Sequence, residues 1–142
     1  MPTWQELATT SQYQTAVAVR EALREGNVQD ATEGLEELID ALSRSDRRAL
    51  ESQLSRLMQH IIKWKCQPTR QSRSWQNTIT NAREAIAEIQ EDTPSLTDAV
   101  IRRLWERTLR KAHRDAEGDM DQSIPPMPLT WEEVFTQDYS LE

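Results

Sequence analysis

The chain has 142 residues, of which 37% are hydrophobic and 29% charged, and a formal net charge of −7. That length is one ordinary domain and can bury a core without staples, provided its lean apolar content repeats on the right faces. Three glycines are too few for an all-β fold or a phosphate-cradling loop, and the single cysteine excludes an internal disulfide and a cysteine-rich zinc site.

The apolar spacing is helical almost throughout. A first segment over about Thr10 to Glu25 carries Tyr13, Ala16, Val17, Val19, Ala22 and Leu23, and Gly26-Asn27 reads as its stop because both residues tolerate a left-handed backbone. A second helix over about Asp30 to Leu42 places Ala31, Leu35, Leu38, Ile39 and Leu42 on one stripe, expected to be buried, with Glu33, Glu36, Glu37 and Asp40 on the opposite face. Ser43-Arg44-Ser45 is expected to break the helix, with Ser45 capping the next. The third helix, about Asp46 to Lys65, has Leu50, Leu54, Leu57, Met58, Ile61 and Trp64 on one face and ends at Gln67-Pro68, since proline disfavours helical geometry in the residue before it.

Ser74 reads as the cap of a fourth helix, about Trp75 to Gln90, with Trp75, Ile79, Ala82, Ile86 and Ile89 in register. Thr93-Pro94 reads as the start of a fifth, about Ser95 to Glu117, carrying Leu96, Val100, Ile101, Leu104, Trp105, Leu109 and Ala112 and stopped by Gly118. After a proline-rich acidic loop, Thr130 to Glu133 matches a capping box and predicts a short helix over about 131–137. The expected architecture is all-α: a compact bundle of five to six helices in a single domain spanning 1–142. The start, Met1 to Glu6, has no basic and apolar leader, and no run approaches the ~18–20 apolar residues of a membrane helix, so a cytoplasmic protein is expected. The lone thiol of Cys66 fits the same reducing compartment.

Charge is uneven. From Arg44 to Arg83 there are nine basic residues and two acids, a net +7, which leaves −14 for the rest. Such asymmetry points either to a partner or to neighbours in the same domain, with the carboxylates of the second helix as the nearest complement. Trp64 and Trp75 lie among the cations, a combination that also suits nucleic-acid stacking, although overall acidity opposes phosphate binding.

Catalytic constellations are missing. His60 and His113 are the only histidines, neither has a glutamate three residues before it, and no serine sits in a G-x-S-x-G turn. Cys66 ends a helix, where the macrodipole opposes a thiolate. Asp115, Glu117, Asp119 and Asp121 alternate like a calcium loop, but Met120 and Pro126 stand where glycine and glutamate belong.

The run His60-Ile61-Ile62-Lys63-Trp64-Lys65-Cys66-Gln67-Pro68, with Arg73-Ser74-Trp75, Thr78-Ile79 and Arg83, resembles the signature of a bacterial, largely cyanobacterial family catalogued as domain of unknown function 29. Leu23 to Gly26, Arg47 to Ser52, Pro94 to Leu96, Pro125 to Leu129 and Trp131 to Asp138 follow in the order of that pattern. Ser43 replaces an expected glycine, and Met127 an expected cysteine, which argues against a metal or redox role there. The resemblance implies an all-helical fold and a bacterial cytoplasm, with no activity and no catalytic residues to carry over.

The expected function is a non-enzymatic interaction module without cofactor or metal. Its expected surface is the basic helix–loop–helix corner of His60, Lys63, Trp64, Lys65, Arg70, Arg73, Trp75 and Arg83, and its partner an acidic protein surface or another copy. The first rival is nucleic-acid binding through the same corner. The second is a hydrolase or nuclease built on Glu33, Glu37, Asp40 and His60.

Overall fold

A computed structural model describes residues 2–141, which form six α-helices and no strand. They are α1 (Trp4–Thr10), α2 (Gln12–Arg24), α3 (Val28–Cys66), α4 (Arg73–Asp92), α5 (Asp98–Met120) and α6 (Trp131–Phe135). The all-α expectation holds. The chain gathers into two compact units that meet in sequence within α3, one up to Arg47 and one from Arg48 onward.

In the first unit, Thr3 caps α1 by accepting from the Glu6 N–H at 3.1 Å, and Ser11 ends α1 and caps α2. Helix α1 lies outside the predicted elements because its apolar residues are few; the spacing Thr3-x-x-Glu6, a helix-start signature, is the signal that marks it. Gly26, at φ 81°, closes α2 as expected. The small core is Val19, Ala22 and Ala31 with Trp4 packed on it. Trp4 donates its indole N–H to Asp30 at 2.8 Å, and its ring presses on Gly34 so closely that an added Cβ would stand 2.6 Å from it. Gly34→Ala therefore dislodges the indole even though alanine is the better helix former by about 1 kcal/mol. The Trp4 indole N–H resonance should shift or lose protection while the helical circular dichroism stays.

Helix α3 corrects two expectations. It runs unbroken through Ser43-Arg44-Ser45, so Ser45 caps nothing. Serine lowers helix propensity only by a few tenths of a kcal/mol, and no glycine or proline adds to it. The stripe of Leu35, Ile39 and Leu42 is exposed rather than buried. The face turned inward is Ala31, Gly34 and Ala41, with Leu38 half-buried, and Gly34 leaves the room that the Trp4 indole fills.

The second unit holds the larger core. Leu50, Leu54, Leu57, Met58, Ile61, Ile62 and Trp64 of α3 pack with Ile79, Ala82 and Ile86 of α4, Ile101, Leu104, Ala112 and Ala116 of α5, and Val134 and Tyr139 near the end of the chain. Trp75, Ile89, Trp105 and Leu109 lie half-buried at its edge. Caps shift by a few residues. Ser72, not Ser74, caps α4, accepting from the Trp75 N–H at 3.2 Å. Thr93 ends α4 and Pro94 lies in a turn, so α5 starts later, after Thr97. Gly118 stays inside α5, which closes at Asp121 with a left-handed φ of 51°, a conformation aspartate tolerates better than most residues. The predicted capping box is present: Thr130 accepts from the Glu133 N–H at 3.1 Å and the Glu133 carboxylate accepts from the Thr130 N–H at 2.9 Å.

Candidate functional site

The predicted corner is built where α3 ends at Cys66, a single 3-10 turn covers Pro68–Arg70, and α4 begins. Pro68 prevents the helix from continuing, and Gln71 turns back to donate to the Trp64 carbonyl at 3.0 Å. Lys63 and Trp75 come together, with the ammonium 5.0 Å from the ring centroid. Trp64, Lys65 and Arg83 converge on the C-terminal segment. Trp64 meets Tyr139 edge-on at 5.8 Å, Lys65 pairs with Glu133, and Arg83 donates to the carbonyls of Val134 at 2.8 Å and Glu133 at 3.2 Å. Arg70 and Arg73 are exposed, and neither forms an ion pair among the described residues. His60 sits one turn before Trp64, its Nδ1 2.9 Å from the Arg56 carbonyl.

Most of the corner's charge is thus committed inside the unit. Lys63, only 12% exposed in its side chain, bonds Asp119 at 3.2 Å, and Gln59 donates to the same carboxylate at 2.6 Å. The acids that answer these lysines come from the end of α5 and from α6. The carboxylates once expected to do so, Glu33, Glu36 and Asp40, are exposed, and no ion pair involving them or Glu37 occurs among the described residues. Nor does any group of three histidine, cysteine or acidic side chains there stand ready to hold a metal.

Burial sets the titration of this region. It disfavours the charged form of His60, aided by the Lys63 and Arg56 charges, and outweighs the Arg56 hydrogen bond, so the imidazole titrates below its ordinary 6.5. Burial also opposes the charge on Glu133, but the Lys65 ammonium and the Thr130 N–H outweigh it and hold the carboxyl below its ordinary 4.5. Burial pushes the Cys66 thiol up, against the pull of Lys65, as suits an inert thiol. Both lowered groups favour the fold at neutral pH. The His60 contribution is full above 6.5 and fades as pH falls through its lowered value; that of Glu133 is full above 4.5 and fades in the same way at lower pH. Thermal melts should show stability falling in two steps on acidification, the first missing in His60→Gln and the second in Glu133→Gln.

A second concentration of cations lies between α3 and α5. A cavity of about 560 Å³ is lined by Arg48, Glu51, Ser52 and Ser55 of α3 and by Arg107, Thr108, Arg110, Lys111 and Arg114 of α5. Each wall repeats at one helical turn, so the sequence places these side chains on facing stripes. Glu51, the only acid among them, pairs with Arg107, and Lys111 pairs with Asp115 one turn on. Arg48, Arg110 and Arg114 are exposed and form no ion pair among the described residues. Ser55 and Thr108, each 4% exposed, add hydroxyls. The lining carries a net +4 in a protein of net −7. Sequence reading followed the apolar face of α5 and passed over this one, although basic residues at 107, 110, 111 and 114 signalled it.

Next to it is an apolar cavity of about 490 Å³ lined by Trp105, Leu109, Arg110, His113, Pro126, Met127 and Leu129, among others. Arg110 borders both cavities. His113 fastens the overlying loop: its Nε2 lies 3.1 Å from the carbonyls of Ile124 and Pro125, and its Nδ1 lies 3.2 Å from Glu117. Trp105 stacks on Trp131 at 5.7 Å, and the Arg102 guanidinium lies 4.3 Å from the Trp131 centroid. No helix among the described residues is long and apolar enough to cross a membrane.

Compared with known proteins, the chain matches no curated protein and no solved structure. The family model for domain of unknown function DUF29 matches residues 10–140, nearly the whole length, and so the chain belongs to the DUF29 family.

Proposed function

We propose that the protein is a non-enzymatic, cytoplasmic binding module that takes an acidic segment of a protein partner into the cleft between α3 and α5. The carrying observation is that the cleft gathers five cations around one carboxylate, which Arg107 already neutralises. Arginine forks match carboxylates in two-pronged geometry, and the Ser52, Ser55 and Thr108 hydroxyls in the same lining can add donors. The corner supports this role less, because Lys63, Lys65 and Arg83 already have partners within the unit. A hydrolase reading has less support, because Glu33 and Asp40 are both exposed and the small cavity beside Asp40 is lined otherwise by Ser43, Arg44 and Arg47, with no second carboxylate.

Fluorescence anisotropy with a labelled glutamate- and aspartate-rich peptide tests this. Arg110→Ala with Arg114→Ala should weaken binding at least about tenfold, whereas Arg70→Ala with Arg73→Ala should leave it unchanged. The opposite pattern returns the surface to the corner. Tighter binding of short DNA or RNA, falling steeply with salt, makes nucleic acid the ligand instead.

A further inference from the structure

The first unit carries an exposed apolar face flanked by carboxylates. Val28, Leu35, Ile39 and Leu42 recur along one side of α3 and are 63%, 46%, 55% and 42% exposed. Four large apolar side chains in one stripe on a charged surface are the signature of a contact site. Glu36 borders Ile39 on the side of α3 away from Ala31 and Gly34, Asp40 follows it one turn on, and both are exposed without an ion pair among the described residues. The face is therefore an apolar ridge with a carboxylate rim. Along α5, the apolar cavity of Trp105, Leu109 and Met127 is flanked by Glu106 and by Arg110, with Arg114 one turn beyond Arg110 along the cationic cleft: a greasy groove whose rim is cationic on the side toward the cleft.

We infer that the acidic partner is a second copy of this chain, whose α3 ridge at Leu35, Ile39 and Leu42 docks on the α5 groove of the first, with Glu36 and Asp40 facing Arg110 and Arg114. The inference rests on the reading of the cleft as an acid-binding surface and names its occupant. Both patches are needed: the apolar match supplies burial, and the charge match sets register and excludes other partners. Because two different patches meet, the contact is heterologous.

Sedimentation velocity over a concentration series tests it on the full chain. The wild type should form species of at least twice the monomer mass. Glu36→Lys with Asp40→Lys, and separately Arg110→Glu with Arg114→Glu, should each raise the dissociation constant at least about tenfold while the circular dichroism stays helical. Mixing the two charge-reversed proteins should restore association, because lysines then face glutamates. A wild type that stays monomeric while the acidic peptide still binds the cleft overturns this inference and leaves the cleft reading standing. Association that survives both reversals, or that mixing fails to restore, places the contact elsewhere and also overturns it. Failure of both the peptide and self-association removes the two readings together.

Discussion

Trp64→Ala should destabilise the protein by about 3–5 kcal/mol, the range for removing a large aromatic from a packed interior. The indole is 8% exposed, sits in the core cluster and closes edge-on against Tyr139. Its loss opens a cavity where α3 ends and the C-terminal segment docks. Chemical denaturation should show a lower midpoint, with Trp64→Phe recovering part of the loss by refilling the volume. A surface tryptophan used for stacking would behave oppositely: the melting temperature would hold and only binding would fall. The same experiment thus separates the architectural role of this corner from a recognition role.

Arg83→Met should cost about 1–3 kcal/mol, the range for leaving a part-buried acceptor without its donor. Arg83 reaches from α4 to the carbonyls of Glu133 and Val134 at the end of α6, where the helix has no donors of its own. Its guanidinium also lies 5.5 Å from the Tyr139 centroid. Methionine keeps the stem but supplies no N–H. Lysine should rescue only partly, because a single ammonium cannot reproduce a fork that serves two carbonyls. The readout is the equilibrium unfolding midpoint, together with hydrogen-exchange protection of residues 131–139, which should fall before that of α3. Tyr139 helps localise the effect. Burial and the Glu133 charge push its phenol up to about 12 against the Arg83 charge, and its O–H donates to the Glu133 carbonyl at 2.7 Å.

The two substitutions describe one joint. Lysine, tryptophan, glutamine, proline and arginine at the turn between α3 and α4 collect the end of α5 and the C-terminal segment around a common core. Lys63 and Lys65 there neutralise Asp119 and Glu133, acids brought in from α5 and α6. In the cleft between α3 and α5, Arg48, Arg110 and Arg114 line one cavity and form no ion pair among the described residues.

The sequence by itself determined the helical class and most of the larger core. Apolar residues repeating once per turn define a face wherever one stripe stands alone, as at Leu50 to Ile61, and the turn chemistry of Gly26, Pro68 and Thr130 follows from the local backbone. Only tertiary structure decided the rest. On the first half of α3 two stripes compete, and the one with the smaller residues turned inward, where Trp4 packs on Ala31 and fills the space that Gly34 leaves. Helix continuity at Ser43 to Ser45 was likewise undecidable locally, since a few tenths of a kcal/mol per serine cannot stop a helix held at both ends by packing. The pairs Lys63–Asp119 and Lys65–Glu133 join residues 56 and 68 positions apart, and the cationic cleft forms only when α3 and α5 lie side by side. Periodicity ranks the faces of one helix, whereas the neighbour that each charged face meets is set by how the helices pack.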